Sequence, residues 1–156
     1  MRVLSLVPAG LLLFCAPALQ AQGAPAAQAT PLQWGPAPAS FPAGAKMAVV
    51  SGDPSKAGPF TIQLAMPDGY RIPPHFHPTD ETVEVKSGTF LFGSGDTFDA
   101  PKMKTMMVGE KGSLPANMHH FAQAKGATVV AVTSMGPFAM TYVNAADDPR
   151  KPQGKP

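Results

Sequence analysis

Hydrophobic residues along this chain recur at every second position, in short runs cut by glycine and proline. Phe60, Ile62, Leu64 and Met66 alternate with Thr61, Gln63 and Ala65 ahead of a Pro67-Asp68-Gly69 turn. That period of two predicts a half-buried strand. In the next such run Glu81, Val83 and Val85 share one face, and Thr82, Glu84 and Lys86 share the other. The parity makes Glu81 the inward carboxylate and leaves Glu84 toward solvent. Gly88 is expected to turn the chain into residues 89–92 as a hairpin partner. Further extended pieces are expected at 104–108 and 113–114, with a β-branched run at 128–133 and renewed alternation at Phe138, Met140 and Tyr142. No stretch carries a helical period beyond a single turn at 100–104. Many short strands at regular spacing predict an all-β sandwich or barrel.

At 156 residues the chain is long enough for one domain and one core. The 19 prolines and 15 glycines agree with numerous turns. A formal charge of +2, with Lys102 and Lys104 as the densest basic pair, excludes a nucleic-acid footprint. Residues 1–21 read as a signal peptide. Arg2 supplies the positive start, an apolar run broken by Pro8 and Pro17 follows, and small residues lead to cleavage near Ala21. The run is too short and too interrupted for a membrane span. Phe14 is too bulky to precede a lipidated cysteine, so Cys15 leaves with the signal and the mature chain has no thiol. A periplasmic or secreted protein is expected. No twin-arginine pair is present, so export of the unfolded chain and loading of any metal outside the cytoplasm follow. Residues 22–42, rich in Ala, Pro and Gln, are expected as a flexible lead-in with Trp34 anchoring its end. The domain is then placed at 43–145 and a frayed tail at 146–156.

The candidate chemistry lies at 69–88. His75 and His77, two apart on extended backbone, project to the same side, and Glu81 shares the inward parity. Two neutral imidazoles and a carboxylate suit a divalent transition metal with positions left open. Left unliganded, such a set is costly to bury.

These residues resemble the cupin superfamily, in particular its small exported single-domain members. The first cupin motif, G-x5-H-x-H-x3,4-E-x6-G, is matched at each fixed position by Gly69, His75, His77, Glu81 and Gly88. The second, G-x5-P-x-G-x2-H-x3-N, is matched by Gly109, Pro115 and His120. Asn117 stands where glycine is usual, a mild departure because Asn tolerates left-handed backbone. Ala124 replaces the closing asparagine. The resemblance spans roughly residues 48–143. It implies a jelly-roll β-barrel whose mouth holds one divalent metal (Fe, Mn, Cu, Ni or Zn) on His75, His77, Glu81 and His120. It also implies a homodimer.

On that basis the expected function is a metal-dependent, dioxygenase-like oxidoreductase. Its substrate is a small oxygen-rich organic molecule, and Glu81 is a ligand that can shift to act as base. The alternatives are a metal-dependent isomerase or lyase, and a non-catalytic module that binds or senses a metal or small ligand. Other residues receive structural readings. Phe76, Phe90, Phe92 and Phe121 line the barrel, Tyr142 packs, and Asp80 and His119 face away from the metal. The methionines, Met103, Met106, Met107 and Met118 among them, fill gaps in an irregular core.

Overall fold

The computed structural model describes residues 31–151. The expected signal peptide and residues 22–30 of the expected lead-in lie outside the described residues. Nine strands form among them: β1 (Gly35–Pro36), β2 (Lys46–Ser51), β3 (Gly58–Met66), β4 (Arg71–Phe76), β5 (Glu81–Ser94), β6 (Lys104–Met106), β7 (Lys111–Leu114), β8 (His120–Gly136) and β9 (Thr141–Tyr142). Among the described residues helical structure is confined to short 3-10 turns at Ala100–Lys102 and Ala145–Asp147. No helix among the described residues is long and apolar enough to cross a membrane.

The long strands β5 and β8 organise the fold. They pair antiparallel from Glu81↔Ser134 to Ser94↔His120, with register shifts between Val85 and Thr89. The early half of β5 and the late half of β8 make one face with β3, β2 and β1 on one side and β7 on the other. The late half of β5 and the early half of β8 make a second face with β4, β9 and β6. Two sheets therefore run into each other through two bent strands, giving an antiparallel jelly-roll barrel. Strands β6 and β7 are the edges on one side.

Residue 88 shows how the bend forms, and here the expected hairpin is corrected. The chain does not reverse at Gly88; β5 continues through it. Gly88 has φ +77°, and a Cβ there would meet the Ala127 carbonyl oxygen and lie 2.7 Å from Thr128 Oγ1. Only glycine combines that backbone with so close an approach. A local glycine signal reads equally as a turn or as a bend. Pairing of both flanks to β8 selects the bend.

Alternation behaves as the pattern requires. Phe60, Ile62, Leu64, Met66, Val83, Val85, Val130 and Val132 point inward and are buried. Each such side chain contributes roughly 1.5–3 kcal/mol by leaving water. The packed structure also reaches beyond residues 43–145 at both ends. β1 pairs with β2, Phe41 belongs to the core, and Arg150 Nη2 donates to the Met140 carbonyl at 3.1 Å. Trp34 does not anchor the lead-in, since it is 41% exposed. Phe41 occupies the core instead, stacked on Phe138 at 6.3 Å. Two of the four phenylalanines expected inside the barrel are elsewhere. Phe121, on the opposite parity to His120, is buried on the outer side over Gly93 and beside Phe98 at 5.0 Å. Phe76, on the opposite parity to His75, stacks on His119.

Candidate metal centre

His75, His77 and His120 converge inside the barrel. His75 stands opposite His120 in the β4–β8 register and opposite Tyr142 in the β4–β9 register. Directly paired residues share a face, so the β-sheet brings together two histidines 45 positions apart (120 − 75). Their ring centroids are 4.1 Å apart, and His77 lies 5.1 Å from His75 and 5.4 Å from His120. All three are buried, and each offers a ligand atom within 4.8 Å of the others. Glu81, the first residue of β5, is buried beside them. Its Oε2 is 3.4 Å from Nε2 of His77 and 3.4 Å from Nε2 of His120.

The link from His77 to Glu81 is fixed by the strands around it. Thr79 Oγ1 donates to the Met135 carbonyl at 3.1 Å, and Ser134 Oγ donates to the Asp80 carbonyl at 2.6 Å. Asp80, although exposed, accepts from Ala116 N at 2.8 Å, and His77 O accepts from Asn117 N at 2.8 Å. Asp80 is thus a brace for the loop before His120, beyond the solvated role expected of it. Asn117 has φ +62°, the left-handed backbone expected at the usual glycine position.

Hydrogen bonding decides what the imidazoles present to one another. Nδ1 of His75 lies 2.7 Å from the Pro73 carbonyl, Nδ1 of His77 2.7 Å from that of Ala139, and Nδ1 of His120 2.8 Å from that of Met118. A carbonyl only accepts, so each Nδ1 carries a proton, and on a neutral ring that leaves the lone pair at Nε2. At His75 and His77 protonation of Nε2 is opposed as well. Burial, then repulsion from His120 and His77, holds His75 well below the usual 6.5. For His77, burial outweighs the upward pull of Glu81, and its pKa is also lowered.

Three imidazoles therefore converge with a carboxylate oxygen that has no hydrogen-bond partner. Three ring nitrogens and a buried carboxylate oxygen facing one another fit a cation. The residues present fit a transition metal, with the three imidazoles as its clearest donors. Space for water inside this cluster amounts to about 30 Å³, enough for an ion and its water and too little for an organic molecule.

The remaining candidates sit apart. His119 faces outward, its Nδ1 2.6 Å from Asp96 Oδ1 and its ring stacked on Phe76. Tyr142 packs near His75 and donates its hydroxyl to the Ser40 carbonyl at 2.7 Å. Sequence reasoning missed the carbonyl anchors. Those of Pro73 and Met118 lie two residues before their histidines, but Ala139 is brought in by β9 and has no local signal. It also missed Phe138, whose ring stacks on His77 at 4.7 Å.

No family model and no curated protein matches the sequence. Solved structures do match the fold. A putative acetylacetone dioxygenase from Methylibium petroleiphilum is 21% identical over 77% of this chain and 81% of its own, with a TM-score of 0.58. The polyketide cyclase RemF from Streptomyces resistomycificus is 16% identical over 67% of this chain and 75% of its own, at 0.56. An RmlC-like cupin from Shewanella frigidimarina is 16% identical over 59% and 76%, at 0.50. Likeness at these identities speaks for architecture, and it agrees with the motifs at 69–88 and 109–120: the chain is a cupin-fold protein.

Proposed function

We propose that this domain is a metal-dependent oxidoreductase of dioxygenase-like type, acting on a small oxygen-rich organic molecule. The observation that carries the reading is the convergence of three Nδ1-anchored imidazoles on a buried Glu81 oxygen without a partner. His75, His77 and His120 would hold the ion through Nε2, and Glu81 would supply the fourth donor through Oε2. When bound, the ion supplies Lewis acidity toward an enolate or carbonyl and, if it is redox-active, access to dioxygen chemistry. The chain's own contribution is threefold. The carbonyl anchors hold the imidazoles in one tautomer, the barrel wall excludes bulk water, and Glu81, as a ligand that can shift, can accept a proton from substrate. The name of the Methylibium neighbour agrees with this reading, at an identity that supports the fold alone. Export and a homodimer belong to the same proposal, tested by N-terminal sequencing of the mature protein and by light scattering.

The test is the metal content of the purified full chain by elemental mass spectrometry, followed by oxygen-uptake screening of small 1,3-dicarbonyl and hydroxy-acid compounds. About one iron, manganese or copper per chain, lost in His75→Ala and His120→Ala, together with oxygen uptake, is the expected result. Stoichiometric zinc without oxygen uptake would move the assignment to a lyase or isomerase. A folded protein that binds no transition metal overturns it.

A further inference from the structure

The space around the four donors is too small for an organic molecule, but a second cavity adjoins it. A cleft of about 440 Å³ opens between the edge strands β6 and β7, within the roughly 300–1,000 Å³ of typical small-molecule sites. It shares Val83, Phe90, Phe92 and Leu114 with the wall of the inner cluster. Two of these shared residues lead directly to the donors. The Phe92 ring is 5.7 Å from that of His120, and Leu114 stands opposite Glu81 in the β5–β7 register.

The rim of the cleft carries three charged residues, Lys104, Glu110 and Lys111, and Lys104 is the lysine without an ion pair among the described residues. Lys111 is paired with Glu84 at 3.2 Å, and Glu110 Oε2 accepts from Met107 N at 2.5 Å. Lys104 stands opposite Phe92 in the β5–β6 register, as Met106 stands opposite Phe90. Opposed residues project to the same face, so Lys104 faces the cleft while Phe92 leads from it toward His120. The remaining wall, with Met106 and Met118, is apolar and adaptable.

We propose that this cleft is the substrate subsite and that it takes small organic monoanions: a carboxylate at Lys104, with an apolar body running past Phe92 toward Glu81 and His120. The inference rests on reading the His/Glu cluster as the reaction centre. Lys104 is a specificity-determining residue in this arrangement.

The probe pair is 4-methyl-2-oxopentanoate and its methyl ester, which differ in charge and little in shape. Binding to the chelator-treated full chain is followed by titration calorimetry, independently of any turnover. The acid is expected to bind about fivefold more tightly than the ester, as suits one partly exposed ion pair. That preference should shrink at high salt. Lys104→Ala and Lys104→Glu should abolish it while leaving ester binding unchanged, and Lys104→Arg should keep it. Equal binding of acid and ester, no binding of either, or an acid preference that survives Lys104→Glu overturns the proposal. A lysine that only guards an edge strand would show itself as altered self-association in Lys104→Ala without a change in ligand preference, which also overturns it. Metal content is read separately. Stoichiometric metal without acid preference defeats the subsite alone, and acid preference without metal defeats the metal reading alone.

Discussion

Replacing Glu81 by glutamine should stabilise the metal-free protein and weaken the metal-loaded one. The Glu81 side chain is 7% exposed, and its Oε2 lies 3.4 Å from Nε2 of His77 and of His120 without a hydrogen-bond partner. A buried polar group left unsatisfied costs about 1–3 kcal/mol, and more when charged. Glutamine is nearly isosteric, and its amide N–H groups can turn toward the Nε2 atoms of His77 and His120. The expected gain for the metal-free protein is about 2 kcal/mol, a rise in Tm on the order of 6–10 °C for a domain of this size. Metal reverses the order, because a ligand at about 1,000 times its Kd adds roughly 4 kcal/mol to whichever protein binds it. Calorimetric melting of chelator-treated protein at pH 8, before and after adding zinc, reads both terms. The opposite sign in the metal-free protein would refute the reasoning. If Glu81 were a structural partner of protonated His77 and His120, removing its charge would cost about 3–5 kcal/mol.

Further expectations concern the framework. The metal-free protein should lose stability as pH falls below the ordinary histidine value of 6.5. His75 and His77 stay neutral in the fold while the unfolded chain takes up protons, so the unfolded state binds more protons there. The stabilisation is fully present above about pH 7 and declines by up to roughly 1.4 kcal/mol per pH unit for each histidine; urea titrations between pH 5 and 8 measure it. Gly88→Ala should cost about 3 kcal/mol or more, since its Cβ meets the Ala127 carbonyl oxygen at φ +77°. Gly69→Ala, at φ +72° with open space around it, should cost only about 1 kcal/mol. Equal losses in the two melts would show that the close approach at Gly88 does not matter. Asn117→Val should destabilise by about 1–2 kcal/mol and loosen metal binding, whereas Asn117→Gly should be nearly neutral; thermal melts with and without metal check both.

Much of the centre was legible because strand parity is local covalent geometry. The alternation of Glu81, Val83 and Val85 with Thr82, Glu84 and Lys86 needs no partner strand to decide which carboxylate turns inward. The same rule aligns His75 with His77, and the positive φ at Asn117 follows from what its side chain tolerates. His120 was reachable only through its motif, since nothing within a few residues of it says that it will face His75. That meeting depends on the β4–β8 register, and the anchoring of His77 depends on the Ala139 carbonyl delivered by β9. Gly88 was misread as a hairpin because a positive-φ glycine permits both a reversal and a bend, and only β8, running alongside both halves of β5, chooses between them. Trp34 stays 41% exposed although it is the largest side chain, and Phe41 is the aromatic of this segment that enters the core beside Phe138. Lys104 read only as half of a small basic pair with Lys102, and its pairing with Phe92 is what turns it toward the cleft. Sequence by itself determined which residues share a face, because each peptide unit imposes that alternation. Which faces meet, and what they enclose, is a matter of pairing between strands far apart in the chain, and that only the folded barrel decided.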